Sequence, residues 1–314
     1  YFHDLTDPYS YLTLQLLAFN GAVLLAPAMN PEMWANETVV QNVAALKTRG
    51  YHIAEPIAGV VACGESGIGH VASDDAIIAR LNDVMGIKIL PGLVGKKVLI
   101  SAGPMRTALD PVRYIQNRSS GKMGLALAKA CAAAGAAKVE ILLGPVGDDV
   151  RASFGEFSVH PYTSPADYDS ALGKLFSACD ILFSAAAVLD FEAITQSKKI
   201  DRAALAASPT LNTPIHAVPD FVAKYAAMKS PHQKVIAFAA ETGSEPDIIA
   251  RATAKMQAKK VDAIIANPVG PGLGPDSDMN TVWIIRPNHA PIKLGPLLKS
   301  DLGFAIVKNL YATE

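Results

Sequence analysis

The stretch D-P-V-R-Y-I-Q-N-R-S-S-G-K-M-G, Asp110 to Gly124, lies between an apolar run, Val98-Leu99-Ile100, and an alanine-rich run of helical period, Leu125 to Ala130. A polar loop between a buried strand and a helix start is where an α/β sheet holds anions, because the helix's first free N–H groups and its dipole both favour negative charge. Asn117 to Gly124 is therefore expected to face an anionic ligand.

Downstream the pattern repeats. Apolar strands are expected at Lys97 to Ser101, Lys138 to Leu143, Ile181 to Ala186, Val235 to Phe238 and Ala263 to Ala266. Helices are expected between them at Gly121 to Ala134, Pro165 to Ala178, Pro219 to Ala227 and Pro246 to Lys260. Val282 to Ile285 and Ile292 to Leu294 close the sheet as an antiparallel hairpin before a last helix. This rhythm predicts an α/β fold with a doubly wound, Rossmann-like, mostly parallel sheet whose ligands sit at the carboxyl ends of the strands. Weight thus falls on Gly103 to Gly124, Ala187 to Lys199, Ala239 to Gly243 and Asn267 to Asn280. Upstream of Pro91-Gly92 the chain reads as a partial α/β unit. It has helices at Tyr9 to Phe19, Thr38 to Arg49 and Asp74 to Val84, a strand at Ala22 to Ala26, and a glycine-rich loop from Cys63 to His70 that permits close approach to a ligand. The expected domains are residues 1–92 and 93–314.

The 28 basic and 29 acidic residues among 314 leave no basic excess for nucleic acid. No apolar run approaches the ~20 residues of a membrane helix. Cys63, Cys131 and Cys179 match no zinc or disulfide spacing, which fits a reducing cytoplasm. The chain begins on Tyr1 within an apparent element, and a preceding part is expected.

Several residues have the chemistry for a site. Lys255 and Lys259 share one helix face about a turn apart, which favours an anion between them or two solvated ammonium groups. Lys198 and Lys199 offer point charge, Asp190 at a strand end binds a ligand or caps a turn, Phe238 is core or a stacking face, and Asn117 donates to an oxyanion or caps. Tyr225 and Lys229 match Y-x-x-x-K, but no glycine-rich dinucleotide turn follows Lys97 to Ser101, and Ser120-Gly121-Lys122 lacks the rest of a P-loop.

Taken in order, S-A-G-P-M-R-T-A-L-D-P-V-R-Y-I-Q-N-R-S-S-G-K-M-G, A-A-V-L-D-F, V-P-D-F, F-A-A-E-T, K-M-Q-A-K-K-V-D-A-I-I-A-N and D-S-D-M-N resemble the phosphopantothenate-cysteine ligase half of bifunctional coenzyme A biosynthesis proteins. Upstream, P-A-M-N-P-E-M-W and A-C-G-E-S-G-I-G resemble its flavin-dependent phosphopantothenoylcysteine decarboxylase half. The resemblance implies a ligase that uses CTP with Mg²⁺ to join 4'-phosphopantothenate and L-cysteine through an acyl-cytidylate. It implies that Lys199, Lys255 and Lys259 contact the phosphates, with Lys199 also catalytic. Asp190 and Phe238 would line the nucleotide site, and Pro219, Asp220, Phe221 and Val222 would read the cytidine. Asn117 would hold the acyl intermediate, with Ser119, Ser120 and Gly121 beside it. It further implies a homodimer through the ligase half. In the decarboxylase half it implies FMN, Asn30 on substrate and Cys63 as proton donor; the flavin-binding first strand and catalytic histidine would precede Tyr1, so this chain is not expected to bind FMN or decarboxylate by itself. Met105, Pro268 and Pro275 replace the residues usual in that pattern. The alternative is a non-catalytic assembly module that keeps nucleotide binding.

Overall fold

The computed structural model describes residues 23–60, 66–74, 76–77, 80, 84, 89–202, 213–270, 274 and 277–312. The chain divides into two compact units, Tyr1–Lys88 and Ile89–Glu314.

In the first unit, β1 (Leu24–Leu25) pairs in parallel with β2 (His52–Ile53), and helices α1 (Pro31–Ala35) and α2 (Glu37–Thr48) lie between them in the chain. Asn30 and Asn36 start these helices, each side-chain Oδ1 accepting from the backbone N–H two residues on. The glycine-rich segment expected as a ligand loop is, from Ser66 to His70, strand β4, paired antiparallel with β3 (Ile57–Val60). Its glycines serve internal packing. A side chain at Gly69 would collide with the Met29 carbonyl, whose residue's N–H already donates to the Gly69 oxygen at 2.9 Å. The expected helix at Tyr9 to Phe19 and Cys63 lie outside the described residues, as does much of Asp74 to Val84.

The second unit runs β5 (Lys97–Ala102), β6 (Arg106–Ala108), β7 (Tyr114–Gln116), α3 (Lys122–Ala133), β8 (Lys138–Leu143), α4 (Asp148–Ala152), β9 (Ser158–Pro161) and α5 (Pro165–Phe176). It continues with β10 (Ile181–Ser184), β11 (Phe191–Ala193), β12 (Ile215–Ala217), α6 (Phe221–Met228), β13 (Lys234–Glu241) and α7 (Glu245–Lys259). It ends with β14 (Ala263–Pro268), β15 (Met279–Ile285), β16 (Ile292–Leu298) and α8 (Lys299–Tyr311). Eight strands form one sheet in the order β16-β15-β14-β13-β10-β5-β8-β9, parallel except for the β14-β15 and β15-β16 pairs.

Strand composition follows from burial on both faces. In β5, Val98, Ile100 and Ala102 enter one core with α3 and α8, while Leu99 enters the other with α5, α6 and α7. β10 divides likewise, Ile181 and Phe183 against Leu182, and β14 places Ala263 and Ile265 against Ile264 and Ala266. The helices begin where their sequences say. Ser164 and Asp167 form a reciprocal capping box on α5, Ser244 and Asp247 do so on α7, and proline occupies the first turn of each. Gly124 admits α3 to the sheet, since a methyl there would overlap that of Ala102.

From β5 the chain moves outward through β8 to β9, then returns to place β10 on the other flank of β5. The carboxyl ends of β5 and β10 therefore diverge into a crevice, the topological switch point where such folds bind ligands. Two small antiparallel pairs, β6-β7 and β11-β12, rise from these ends; periodicity did not reveal them because each strand is three residues long. Asp110 to Gly124 is thus a loop only in part: Tyr114–Gln116 is β7.

Candidate functional site

A cavity of about 490 Å³ opens at this crevice. Its lining joins four segments far apart in sequence: Asn117 to Gly121 before α3, Ser184 to Asp190 after β10, Val218 to Val222 at the start of α6, and Ala237 to Ala240 of β13. Lys255 and Lys259 line it from α7, with Asn267 and Asn280 from β14 and β15. Asn117, Ser119, Ser120, Gly121, Asp190, Pro219, Asp220, Phe221, Val222, Phe238, Lys255 and Lys259 are therefore brought together. Lys199 is not among the lining residues; it is exposed on a bulge before buried Ile200.

Local structure explains each placement. Gly121 precedes α3 with φ +77°, a left-handed conformation, and no side chain caps the helix there. Asn117 Nδ2 donates to the Val188 carbonyl at 2.8 Å, joining the β5 and β10 loops. A primary amide has a second N–H and a carbonyl oxygen to offer. Asp220 caps α6 by accepting from the Ala223 N–H at 3.0 Å. The Asp190 carbonyl accepts from Val218 N–H at 3.1 Å, which anchors the segment leading to Pro219. Phe238 is half-buried, packed on the core while one part faces the cavity.

The two α7 lysines are not solvated alone, and neither is left waiting for an anion. Lys259 Nζ lies 3.0 Å from Asp220, and Lys255 Nζ lies 2.7 Å from Glu241 Oε1 as a charge contact without hydrogen-bond alignment. Glu241 also accepts from Arg251 Nε at 2.9 Å. Burial pushes the Glu241 carboxyl up, but its contacts with Lys255 and Arg251 outweigh this and hold it below the ordinary range. Beside α3, Lys122 pairs with Asp278 at 2.6 Å, which raises the lysine and lowers the aspartate.

Sequence reasoning missed Lys299, which is 6% exposed and lines the cavity from the first turn of α8. A lysine in a helix's first turn opposes the dipole, and that was the available signal. The Tyr225 and Lys229 pattern is structural. The Tyr225 hydroxyl donates to Asp169 at 2.9 Å, and Lys229 donates to Asp262 at 2.6 Å. Among the described residues no group of three or more His, Cys, Asp or Glu side chains is placed to hold a metal. Among them, too, no helix is long and apolar enough to cross a membrane.

Residues 93–313 match the model of the DNA/pantothenate metabolism flavoprotein C-terminal domain, and residues 7–86 match that of flavoproteins. The chain belongs to the DNA/pantothenate metabolism flavoprotein family. Its relatives include the Coenzyme A biosynthesis bifunctional protein CoaBC of Bacillus subtilis (strain 168), 35% identical over 96% of this chain and 72% of that protein. The same-named protein of Vibrio cholerae is 38% identical over 95% of this chain and 72% of its own length. A cysteine/cysteine sulfinic acid decarboxylase of an unknown prokaryotic organism is 35% identical over 95% of this chain and 82% of its length. Among solved structures, the C-terminal domain of Coenzyme A biosynthesis bifunctional protein CoaBC superposes with a TM-score of 0.55 at 27% identity, covering 70% of this chain and 96% of that one. The mostly parallel α/β sheet is the one this family shares.

Proposed function

We propose that this chain acts in coenzyme A biosynthesis, and that residues 93–314 are a ligase that joins 4'-phosphopantothenate to L-cysteine at the expense of CTP. The observation that carries this reading is the convergence of Asn117, Asp190, Pro219 to Val222, Phe238, Lys255 and Lys259 on one cavity at the sheet's switch point. In the first step a substrate carboxylate oxygen attacks the α-phosphorus of CTP; the bond to the β-phosphate breaks and pyrophosphate leaves with its electron pair. In the second, the cysteine amine attacks the acyl carbon, CMP departs, and the amine loses a proton. Such transfers depend on positioning and charge neutralisation. Lys255 and Lys259 serve the phosphates, exchanging Glu241 and Asp220 for them, and Lys199 joins them from its bulge. Asp190 and Phe238 line the nucleotide site, the backbone from Pro219 to Val222 reads the base, and Ser119, Ser120 and Gly121 flank the acyl group. Asn117 serves the acyl intermediate with a neutral amide, which stabilises developing charge without trapping the carboxylate. Mg²⁺ bound with the nucleotide would supply further charge neutralisation, since among the described residues no group of three or more His, Cys, Asp or Glu side chains is placed to hold it.

Residues 1–92 are the decarboxylase-like part. Asn30 Oδ1 accepts from the Glu32 N–H at 2.7 Å and so caps its own helix. The match of residues 7–86 to the flavoprotein model supports FMN as the cofactor of the decarboxylase half. Cytoplasmic location and a homodimer through the ligase domain complete the reading. The test is pyrophosphate release with CTP, Mg²⁺, 4'-phosphopantothenate and L-cysteine; release no greater than from Lys259→Ala rejects it. The second reading is an assembly module that binds nucleotide without turnover, favoured by the position of Lys199 outside the cavity lining. CTP binding without pyrophosphate release would select it.

A further inference from the structure

The β6-β7 hairpin and the strap that follows β11 run side by side. Ala193 N–H donates to Thr107 Oγ1 at 2.9 Å, Thr195 Oγ1 to the Ala108 carbonyl at 2.9 Å, and Gln196 N–H to the Leu109 carbonyl at 2.9 Å. The next bond joins Ile200 N–H to Asp110 Oδ2 at 3.0 Å. The hairpin has advanced by a single residue, from Leu109 to Asp110, while the strap has advanced from Gln196 to Ile200. Ser197, Lys198 and Lys199 are left to loop out, all three exposed, between two anchors on one tight turn.

That turn is built on a buried carboxylate. Asp110 is 2% exposed; Oδ1 accepts from the N–H groups of Val112 and Arg113, each at 2.7 Å, and Oδ2 accepts from Ile200 and from Arg113 Nη1 at 3.2 Å. The same Nη1 donates to the Ile200 carbonyl at 3.3 Å. A carboxylate accepts on both oxygens, which no isosteric neutral side chain does. The Ile200 N–H above all holds the carboxyl below its ordinary value, against the effect of burial.

We infer that Asp110 is a positioning residue for the lysine bulge, setting where the Lys199 ammonium stands when nucleotide is bound. This rests on the ligase reading. Asp110 touches no substrate in it; it acts through Lys199 by fixing the C-terminal foot of the bulge. Asp110→Asn keeps size and the local turn through Oδ1, but turns an N–H₂ toward the Ile200 N–H and releases that foot.

The expected result is a fall in kcat for pyrophosphate release on the order of a hundredfold, the cost of a displacement near 1 Å of a catalytic group, with the KM for CTP little changed. Lys199→Ala should lose a comparable amount. The double variant should lose no more than the worse single one, because the two act as a unit. Hydrogen exchange supplies a readout free of activity and of any variant: in the wild-type chain the Ile200 amide should be protected like the sheet core. Wild-type kcat in folded Asp110→Asn, additive losses, or free exchange at Ile200 would each overturn the inference. No pyrophosphate from wild type overturns the ligase reading instead, while protection at Ile200 is read independently of it.

Discussion

Lys259→Ala separates a nucleotide contact from a structural one because the geometry assigns different magnitudes to each. Without ligand, Lys259 Nζ sits 3.0 Å from Asp220, with the two side chains 29% and 45% exposed. A pair this open to water contributes about 0–1 kcal/mol, so the variant should unfold within a few degrees of wild type. With CTP bound in the proposed manner, the ammonium exchanges a carboxylate for a polyphosphate in a cavity. A hydrogen bond to a charged group is worth about 1.5–3 kcal/mol. At 1.4 kcal/mol per tenfold, the KM for CTP should rise roughly ten- to a hundredfold, leaving the KM for cysteine unchanged. Steady-state pyrophosphate release at varied CTP measures the first quantity, and thermal unfolding without ligand measures the second. An unchanged KM for CTP, or a loss that tracks unfolding, refutes the argument. Asp220→Asn is the complementary arm. It keeps an oxygen to cap α6 and removes the charge that competes for Lys259, so the KM for CTP should fall or stay level; a rise comparable to that of Lys259→Ala would show Asp220 to be a ligand contact itself.

Glu241→Gln should release Arg251 and remove the charge that competes for Lys255, so the KM for CTP should fall or stay level, as for Asp220→Asn. Because the folded carboxyl titrates below the ordinary glutamate value of 4.5, its contribution to stability is complete above that pH and is lost as the pH falls below it. Urea midpoints between pH 7 and 3 should therefore drop less steeply for the variant, and an equal acid slope counts against the assignment. Gly124→Ala presses a methyl into that of Ala102 and should lower stability by about 1–3 kcal/mol at unchanged urea m-value; a neutral result means α3 can move off the sheet. Burial pushes the Cys131 thiol far up and that of Cys179 up to about 12, so at pH 8 neither should react with a disulfide reagent until the chain unfolds, as peptide mapping would report.

The alternation of apolar runs with runs of helical period made the second unit's sheet legible in the sequence, since burial on both faces demands continuous apolar strands. Residues at strand ends, Asp190, Phe238 and Asn117 among them, were legible as site candidates because a parallel sheet presents its carboxyl ends to ligands. The sequence alone thus determined the layered α/β architecture and which segments meet at its mouth. Tertiary structure decided what those segments do to one another. It gave Lys255 and Lys259 carboxylate partners from other elements and brought Lys299 to the cavity from the far end of the chain. It turned the glycines of β4 toward their own neighbours and set the Lys199 bulge outside the cavity, with one foot on Asp110. Local propensity and periodicity report which face of an element is apolar. Charge pairing and register between elements ninety residues apart depend on the packed geometry, where one buried carboxylate satisfies N–H donors from two loops at once.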